Sequence, residues 1–495
     1  MKNNSVIKHL IIMATAALFL AFCFDLGVET IRSASYFYLI VCIAVLIIAF
    51  RKNIPSPSVF ITMLTGMLLK LSYVIYTPVW CRQHDVIDFG AGEGHAAYIE
   101  YILSHKSLPD FDPRSVWAFF QPPLHHFISA AWMWLSIRSG LILSRAQKNV
   151  QILPLIYMCL LAYITYMICR ELNMRSGGTL IAMLIVSFHP IFIMMSGSIN
   201  NDALSVMLSV LALYVALVWY MYPTTGKIAL LAVCIGLAMS AKLSAGLVAP
   251  PIAVLMIYKI VNDTERFRDK QKLISYILEL AAFAVIVFPL GLWWPIRNKI
   301  LFDMPPGYIP EVGEHVEKAG LIPTILDVRT ASPFLYMKTN GYPYDEYNLI
   351  LATLKSSLFG EGNYANVSPI LTAAGWALLL ALVLVIVLQV IAIVTTCASS
   401  EAGPAKGIKL FLCTTVITFT AGYVVFALCG MNLSAMDFRY SAGAVSIMSV
   451  FLGLRYDRLG ALSKKAGRAV ILISSLAFAA VSAIFYILIG LYHMD

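Results

Sequence analysis

The sequence predicts an all-α polytopic membrane protein, a bundle of about 12–14 transmembrane helices with two larger exterior loops. Three observations carry that expectation. The 495 residues are 60% hydrophobic and only 12% charged, with a mean hydropathy of +0.82, whereas a soluble domain carries about 25% charged residues. Apolar runs close to the roughly 20 residues that cross a bilayer recur along the whole chain. The basic residues gather in short turns between those runs, so the net charge of +9 fits the positive-inside rule and does not point to nucleic acid.

Candidate spans lie at 8–24, 36–50, 57–78, 122–137, 150–169, 178–195, 203–222, 227–241, 243–260, 273–294, 368–394, 409–430, 440–454 and 469–491. The first follows Lys2 and Lys8 without a small-residue cleavage site, and reads as an uncleaved span rather than a signal peptide. Several runs are short, which suggests tilted, half or re-entrant helices. The chain divides into two N-terminal spans (1–56), a core (57–294) with a first exterior loop at 79–121, a second exterior loop (295–367) and C-terminal spans (368–495). No internal repeat, low-complexity tract or soluble domain is evident. Most cysteines sit in or beside apolar runs and only Cys81 lies in a polar loop, so neither a disulfide framework nor a CxxC metal site is expected.

Orientation follows from charge. Arg51 and Lys52 form one cytoplasmic turn; Arg455, Arg458, Lys464, Lys465 and Arg468 form the strongest; Lys259–Lys272 is a third, mixed in sign. With Lys2 and Lys8 inside, the loop after 57–78 is exterior, as are 295–367, the turn SGSINND (196–202) and the turn around Asp437–Arg439. Two basic turns collide: Arg138, Arg145 and Lys148 are separated from Arg170 and Arg175 by one apolar run. Placing Arg170 and Arg175 inside makes 122–137 an incomplete or re-entrant helix.

The stretch Trp80–His126 stands out. It carries Asp85, Asp88, Glu93, Asp110 and Asp112 with His84, His95, His125 and His126, in a chain that is otherwise nearly all hydrocarbon. Acids are costly near lipid, so such a cluster marks a functional site. Gly90, Gly92 and Gly94 permit tight backbone beside the acids. From His95 the pattern turns helical, with Tyr98, Ile99, Ile102 and Leu103 on one face and Glu100 opposite, which predicts a short interfacial helix with its tyrosines at headgroup level. Pro122 and Pro123 then open the next helix, where prolines are tolerated. His125 and His126 just beyond them read as interfacial.

This order of features resembles the integral-membrane GT-C glycosyltransferases, in particular the protein O-mannosyltransferase and lipid A aminoarabinose transferase branch. His84-Asp85, GHAAYIEYI (94–102) and QPPL (121–124) match the first-loop acid, the interfacial helix and the Pro-Pro-Leu opening of the next helix. Asn200-Asn201-Asp202, Lys242 at a span end, Trp294-x-x-Arg297-Asn298 and Arg439-Tyr440 match further pieces, over roughly 57–455. The mannosyltransferases place adjacent Asp-Glu in this loop, whereas here Asp85 stands apart from Asp88 and Glu93, and the spans before 57 lie outside the common core.

The resemblance implies a GT-C-like bundle that moves one sugar from a polyprenyl-phosphate donor, inverting the anomeric carbon, to an acceptor hydroxyl on the non-cytoplasmic face. Asp85 is the expected base; its plainer reading is a solvated loop acid paired with Arg82. Asp88 and Glu93 are further catalytic candidates, Glu93 also as an acceptor-positioning or cation-holding group. A phosphate leaving group needs positive charge rather than an acid, and Lys242, Arg439 and Arg297 are the candidates. Their plainer readings are a snorkelling lysine and, for Arg439, a salt bridge with Asp437. His95, Gln121, Asn201, Asp202 and Tyr440 complete the candidate substrate contacts, though His95 could simply cap its helix and Asn201 and Asp202 theirs. No cofactor is required by this chemistry and a divalent cation is left open; His84, Asp88 and His95 match no zinc spacing. The tyrosines Tyr308, Tyr336, Tyr342, Tyr344 and Tyr347 of the second loop suit sugar stacking or the headgroup layer.

The expected partners are the lipid-linked donor, membrane lipid and a glycan, lipid or protein acceptor. The membrane would be the plasma membrane of a bacterium or the endoplasmic reticulum of a eukaryote. Two other classes remain open at this point: a transporter or flippase of lipid-linked substrates, which should show inverted repeats and broken mid-membrane sites, and a non-catalytic scaffold of a glycan-assembly complex.

Overall fold

The computed structural model describes residues 56–81, 85–262, 269–310, 320–335, 346–360, 362, 364, 367–399, 404–431 and 435–492. The two N-terminal runs, Arg82, His84 and the tyrosines Tyr336, Tyr342 and Tyr344 lie outside the described residues. Within them the protein is helical without strands, and every apolar run expected from residue 57 onward is helical, that at 178–195 as two helices. Eight described helices are long and apolar enough to cross a membrane, nine if one bent pair counts as a single span.

The first described span, α1 (Pro57–Tyr76), starts with Pro57 in its first turn and leads to the acidic loop, whose helix is α2 (Gly94–His105). Next come α3 (Leu124–Arg138) and α4 (Leu143–Asn149). They fold back on each other: Asn149 Nδ2 donates to Ser136 Oγ at 2.9 Å, and Trp132 Nε1 to the Asn149 carbonyl at 3.1 Å. Lys148 Nζ caps the end of α1 through the Val74 and Thr77 carbonyls at 2.7 and 2.6 Å. The α3–α4 hairpin therefore stays at the acidic-loop end.

From there α5 (Ile152–Glu171) runs about 30 Å to the opposite end. There the backbone N–H groups of Arg175 and Gly178 donate to the Asp457 carboxylate at 2.7 and 2.9 Å, beside Arg455 and Arg458. The geometry thus separates the two colliding basic turns: Arg170 and Arg175 share an end with the C-terminal basic cluster, and Lys148 does not.

The return span is broken. Helices α6 (Ser176–Phe188) and α7 (Pro190–Gly197) meet at 46° across His189. Pro190 has no N–H to continue the ladder, so the carbonyls before it need other donors. Lys70 Nζ takes the Ser187 carbonyl and Ser482 Oγ takes that of Phe188, both at 2.6 Å. A Cβ on Gly66 would stand 2.5 Å from Ser187 Cβ, so α1 and α6 touch there only because residue 66 is glycine.

Helices α8 (Asp202–Met221) and α9 (Thr225–Ala241) form an antiparallel pair, which puts the start of one beside the end of the other. The chain continues through α10 (Ala249–Asn262) and α11 (Lys270–Phe302). The segment 295–367 contributes α12 (Leu321–Leu326) and α13 (Leu349–Phe359). The final spans are α14 (Pro369–Ala398), α15 (Lys406–Gly430), α16 (Gly443–Ala461) and α17 (Lys465–Leu491). One large core fills the bundle, and a second, smaller one under the acidic loop joins Tyr98, Ile99, Phe119, Met133 and Trp294.

That second core corrects two expectations. Tyr98 does not face the headgroups: its ring is fully buried in protein, stacked on Phe119 and His126 with centroids 4.4 and 4.3 Å away. His125 and His126 are likewise fully buried rather than interfacial. The physical reason is the α3–α4 hairpin, which covers the apolar face of α2 with protein where a free interfacial helix would meet lipid.

Candidate active site

Asp85 owes its position to backbone. Asp85 and Ile87 have φ of +55° and +50°, and the carbonyls of Asp85 and Val86 accept the second and third N–H groups of α2, from His95 at 3.0 Å and Ala96 at 3.1 Å. The four leading N–H groups of a helix lack internal partners, so a turn that presents its carbonyls docks there readily. Close approach requires Gly94: with φ +84°, it would place a Cβ 2.5 Å from the Val86 oxygen and 2.9 Å from that of Asp85.

Above this shelf, charges from four distant segments converge. Arg439 Nη2 donates to Asp85 Oδ2 at 3.3 Å and to the Tyr440 hydroxyl at 3.0 Å, while its Nε stands 3.6 Å from Asp202 Oδ2. Lys242 Nζ pairs with the other oxygen of Asp202 and lies 4.8 Å from the Tyr440 ring centre. The Asp202, Lys242 and Arg439 side chains are 6%, 12% and 8% exposed, and Asp85 is 33% exposed, so the carboxylate of Asp85 is the cluster's opening to solvent.

The α8–α9 pairing explains the meeting of Asp202 with Lys242. Asn201 Nδ2 pins it by donating to the Ala241 carbonyl at 2.7 Å, and Gln121 Oε1 lies 3.4 Å from the same nitrogen. The Asn200 side chain, rather than that of Asn201, takes the Asp202 N–H, at 3.1 Å. Lys242 leaves α9 in extended conformation, φ −156° and ψ 127°. Arg439 sits on a 3₁₀ turn, Phe438–Ser441, and its own N–H donates to Asp437 Oδ1 at 2.7 Å. Asp437 therefore caps the turn that carries Arg439.

Other candidates lie apart. Asp88 is exposed and takes the Phe89 N–H at 2.8 Å; Glu93 is exposed and does not cap α2 with its side chain. Arg297 is engaged elsewhere: it reaches the Pro109 carbonyl, donates to Asn298 Oδ1 at 2.8 Å and stacks on Trp294, whose Nε1 holds the Phe120 carbonyl at 2.9 Å. These contacts clamp the start of the segment 295–367 onto the acidic loop.

His95 does not cap α2 either. It is buried, with Nδ1 2.8 Å from His126 Nε2. Burial pushes its pKa down to about 3, against the pull of the Asp85 and Asp202 carboxylates, so the ring is neutral. Sequence reasoning missed the His95–His126 pair and the buried Lys70. A lysine within an apolar run was the available signal for the second.

Among the described residues no three His, Cys, Asp or Glu side chains gather as metal ligands. The carboxylates of Asp85 and Asp202 are matched to Arg439 and Lys242 instead, a donor set that does not suit a resident divalent cation.

The fold has known counterparts. The Archaeoglobus fulgidus oligosaccharyltransferase, in its apo form, superposes with a TM-score of 0.50 at 16% identity, over 88% of this chain and 56% of that one. ArnT from Cupriavidus metallidurans, solved bound to undecaprenyl phosphate, gives 0.49 at 13% identity, over 88% of this chain and 77% of that one. The chain thus spans little more than half the length of the oligosaccharyltransferase. No curated protein sequence matches it. The helical architecture is therefore shared with that oligosaccharyltransferase. In sequence, residues 121–294 match the model of the dolichyl-phosphate-mannose-protein mannosyltransferase family. The match begins at Gln121 and takes in Asn201, Asp202 and Lys242; Asp85 and Arg439 lie outside it.

Proposed function

We propose that the protein transfers a single sugar from a polyprenyl-phosphate carrier to an acceptor hydroxyl, with inversion, at the exterior end of the bundle. The observation that carries this reading is the convergence of Asp85, Asp202, Lys242 and Arg439 in one buried cluster that opens at Asp85. The family description at 121–294 supplies the donor class. The exterior assignment rests on the basic turns at the opposite end.

In the reaction the acceptor oxygen attacks the anomeric carbon as its proton passes to Asp85. The carbon–oxygen bond to phosphate breaks, and its electron pair leaves with the phosphate. Charge supports the pairing of base and cation. A donor phosphodiester carries one negative charge and the departing monoester gains about one more, while Asp85 loses one on protonation. The total at the site stays constant. Arg439, shared with Asp85 in the resting cluster, is freed toward the phosphate at the moment the phosphate gains charge. Asp202 keeps Lys242 and Arg439 together.

The test is single-turnover transfer by the purified chain, wild type against Asp85→Asn, over a panel of polyprenyl-phosphate sugars. Asp85→Asn should bind donor and lose transfer by about 10²–10⁴-fold. Equal rates would remove Asp85 from the chemistry. A folded wild type inactive with every donor would sink the transferase reading in favour of a transporter or scaffold.

A further inference from the structure

The turn that bears Arg439 is held from outside itself. The peptide groups on either side of Asp437 are both occupied by side chains of other helices. Ser356 Oγ, on α13, accepts the Phe438 N–H at 3.0 Å and lies 3.5 Å from the Met436 carbonyl. The Tyr423 hydroxyl, on α15, donates to that carbonyl at 2.6 Å and meets Thr353 Oγ1 of α13 at 2.6 Å. Ser356 and Thr353 are three residues apart, hence on one face of α13. The phosphate-side arginine is therefore framed by a helix from the segment 295–367.

That helix is itself anchored with care. Asn348 caps it by accepting the Leu351 N–H at 3.0 Å and ties it to the Ile325 carbonyl at 2.9 Å. Lys355 Nζ reaches Glu346 Oε2 at 2.8 Å and the Arg329 carbonyl at 3.0 Å, with both side chains of the pair essentially buried. A buried ion pair adds little stability over apolar residues of the same volume, and its best-attested use is to select one register. Register matters here, because a shift of one residue turns a helix by about 100° and would swing Ser356 away from Phe438.

We propose that α13 is the positioning element for Arg439: Ser356 sets the turn that aims the guanidinium, and the Lys355–Glu346 pair locks the rotation of α13 that presents Ser356. This rests on the reading of Arg439 as a ligand of the carrier phosphate. Ser356 touches no reacting atom and acts only through the arginine.

The experiment measures binding of undecaprenyl phosphate to the purified full chain, alongside the thermal midpoint of each variant. Ser356→Ala should bind about tenfold more weakly because the arginine loses its aim, with its midpoint lowered only by the few degrees that one lost hydrogen bond costs. Ser356→Thr, which keeps the hydroxyl, should restore binding. Ser356→Ala should weaken Arg439→Lys no further, because both changes act on one group. The paired change Glu346→Leu with Lys355→Met should keep the midpoint and weaken binding. Wild-type affinity in Ser356→Ala overturns the proposal. So does a loss that tracks a lowered midpoint and is not rescued by threonine, which marks a merely structural serine. A wild type that does not bind the lipid removes the phosphate reading itself, and this inference with it.

Discussion

Asp202→Asn is the most informative single change, because that carboxylate is shared by both cations. At 3.6 Å and an effective dielectric near 20, its attraction to Arg439 alone is roughly 4–5 kcal/mol. Lys242 contacts the other oxygen. Removing one partner of a buried pair leaves uncompensated charge and costs about 3–5 kcal/mol, a large share of the roughly 5–15 kcal/mol that holds a folded protein. The thermal midpoint of the purified variant should fall by on the order of 5 °C. Undecaprenyl phosphate should then raise the midpoint more in the variant than in wild type, since its phosphate supplies the missing anion. The double change Asp202→Asn with Lys242→Met removes a cation as well, and should be more stable than the single. An unshifted midpoint, or equal stabilisation of both proteins by the lipid, would refute the shared-counterion argument.

Three further outcomes follow from the geometry. Gly94→Ala places a methyl against the Asp85 and Val86 carbonyls at a backbone angle that disfavours any side chain, so transfer should drop by roughly tenfold or more as Asp85 is displaced; single-turnover rates equal to wild type would show that the shelf does not aim the acid. Lys70→Met strips the donor from the Ser187 carbonyl at the helix break, and should lower stability by about 1–3 kcal/mol; an unchanged denaturation profile would mean that another donor serves that carbonyl. His95 is neutral when folded, with its pKa pushed down to about 3 from an unfolded value near 6.5, so the unfolded chain takes up the proton first. Its contribution is fully present above about pH 6.5 and is lost toward pH 3 at about 1.4 kcal/mol per unit, so His95→Gln should flatten the stability profile there; identical profiles would exclude the effect.

Much of the site was legible because its members carry local marks. Asp85 follows a span in a loop of acids, Lys242 ends an apolar run, and Arg439 opens another; each is costly unless used. Asp88 and Glu93 carry the same local marks, and the structure leaves them exposed and apart from the cluster. Composition cannot distinguish the acid whose backbone docks on α2 from one a turn later, because that choice is made by Gly94 and by positive φ at Asp85. Arg297 shows the same limit from the other side. Its motif matches, but its guanidinium is engaged with Pro109, Asn298 and Trp294, partners that no spacing announces.

By itself the sequence determined that this is a helical membrane protein, where its apolar helices from residue 57 onward lie, and which loop concentrates acids. Those properties follow from the transfer of apolar side chains and charges between water and lipid, which each segment decides alone. Only the tertiary structure decided which charges meet. The antiparallel α8–α9 pair brings Asp202 to Lys242, and the turn framed by α13 and α15 brings Arg439 to both Asp202 and Asp85, across 354 positions of chain. Such pairing depends on how far each helix runs before it turns back and on which carbonyls a broken helix leaves to be satisfied. These are sums over the whole bundle that no single segment records.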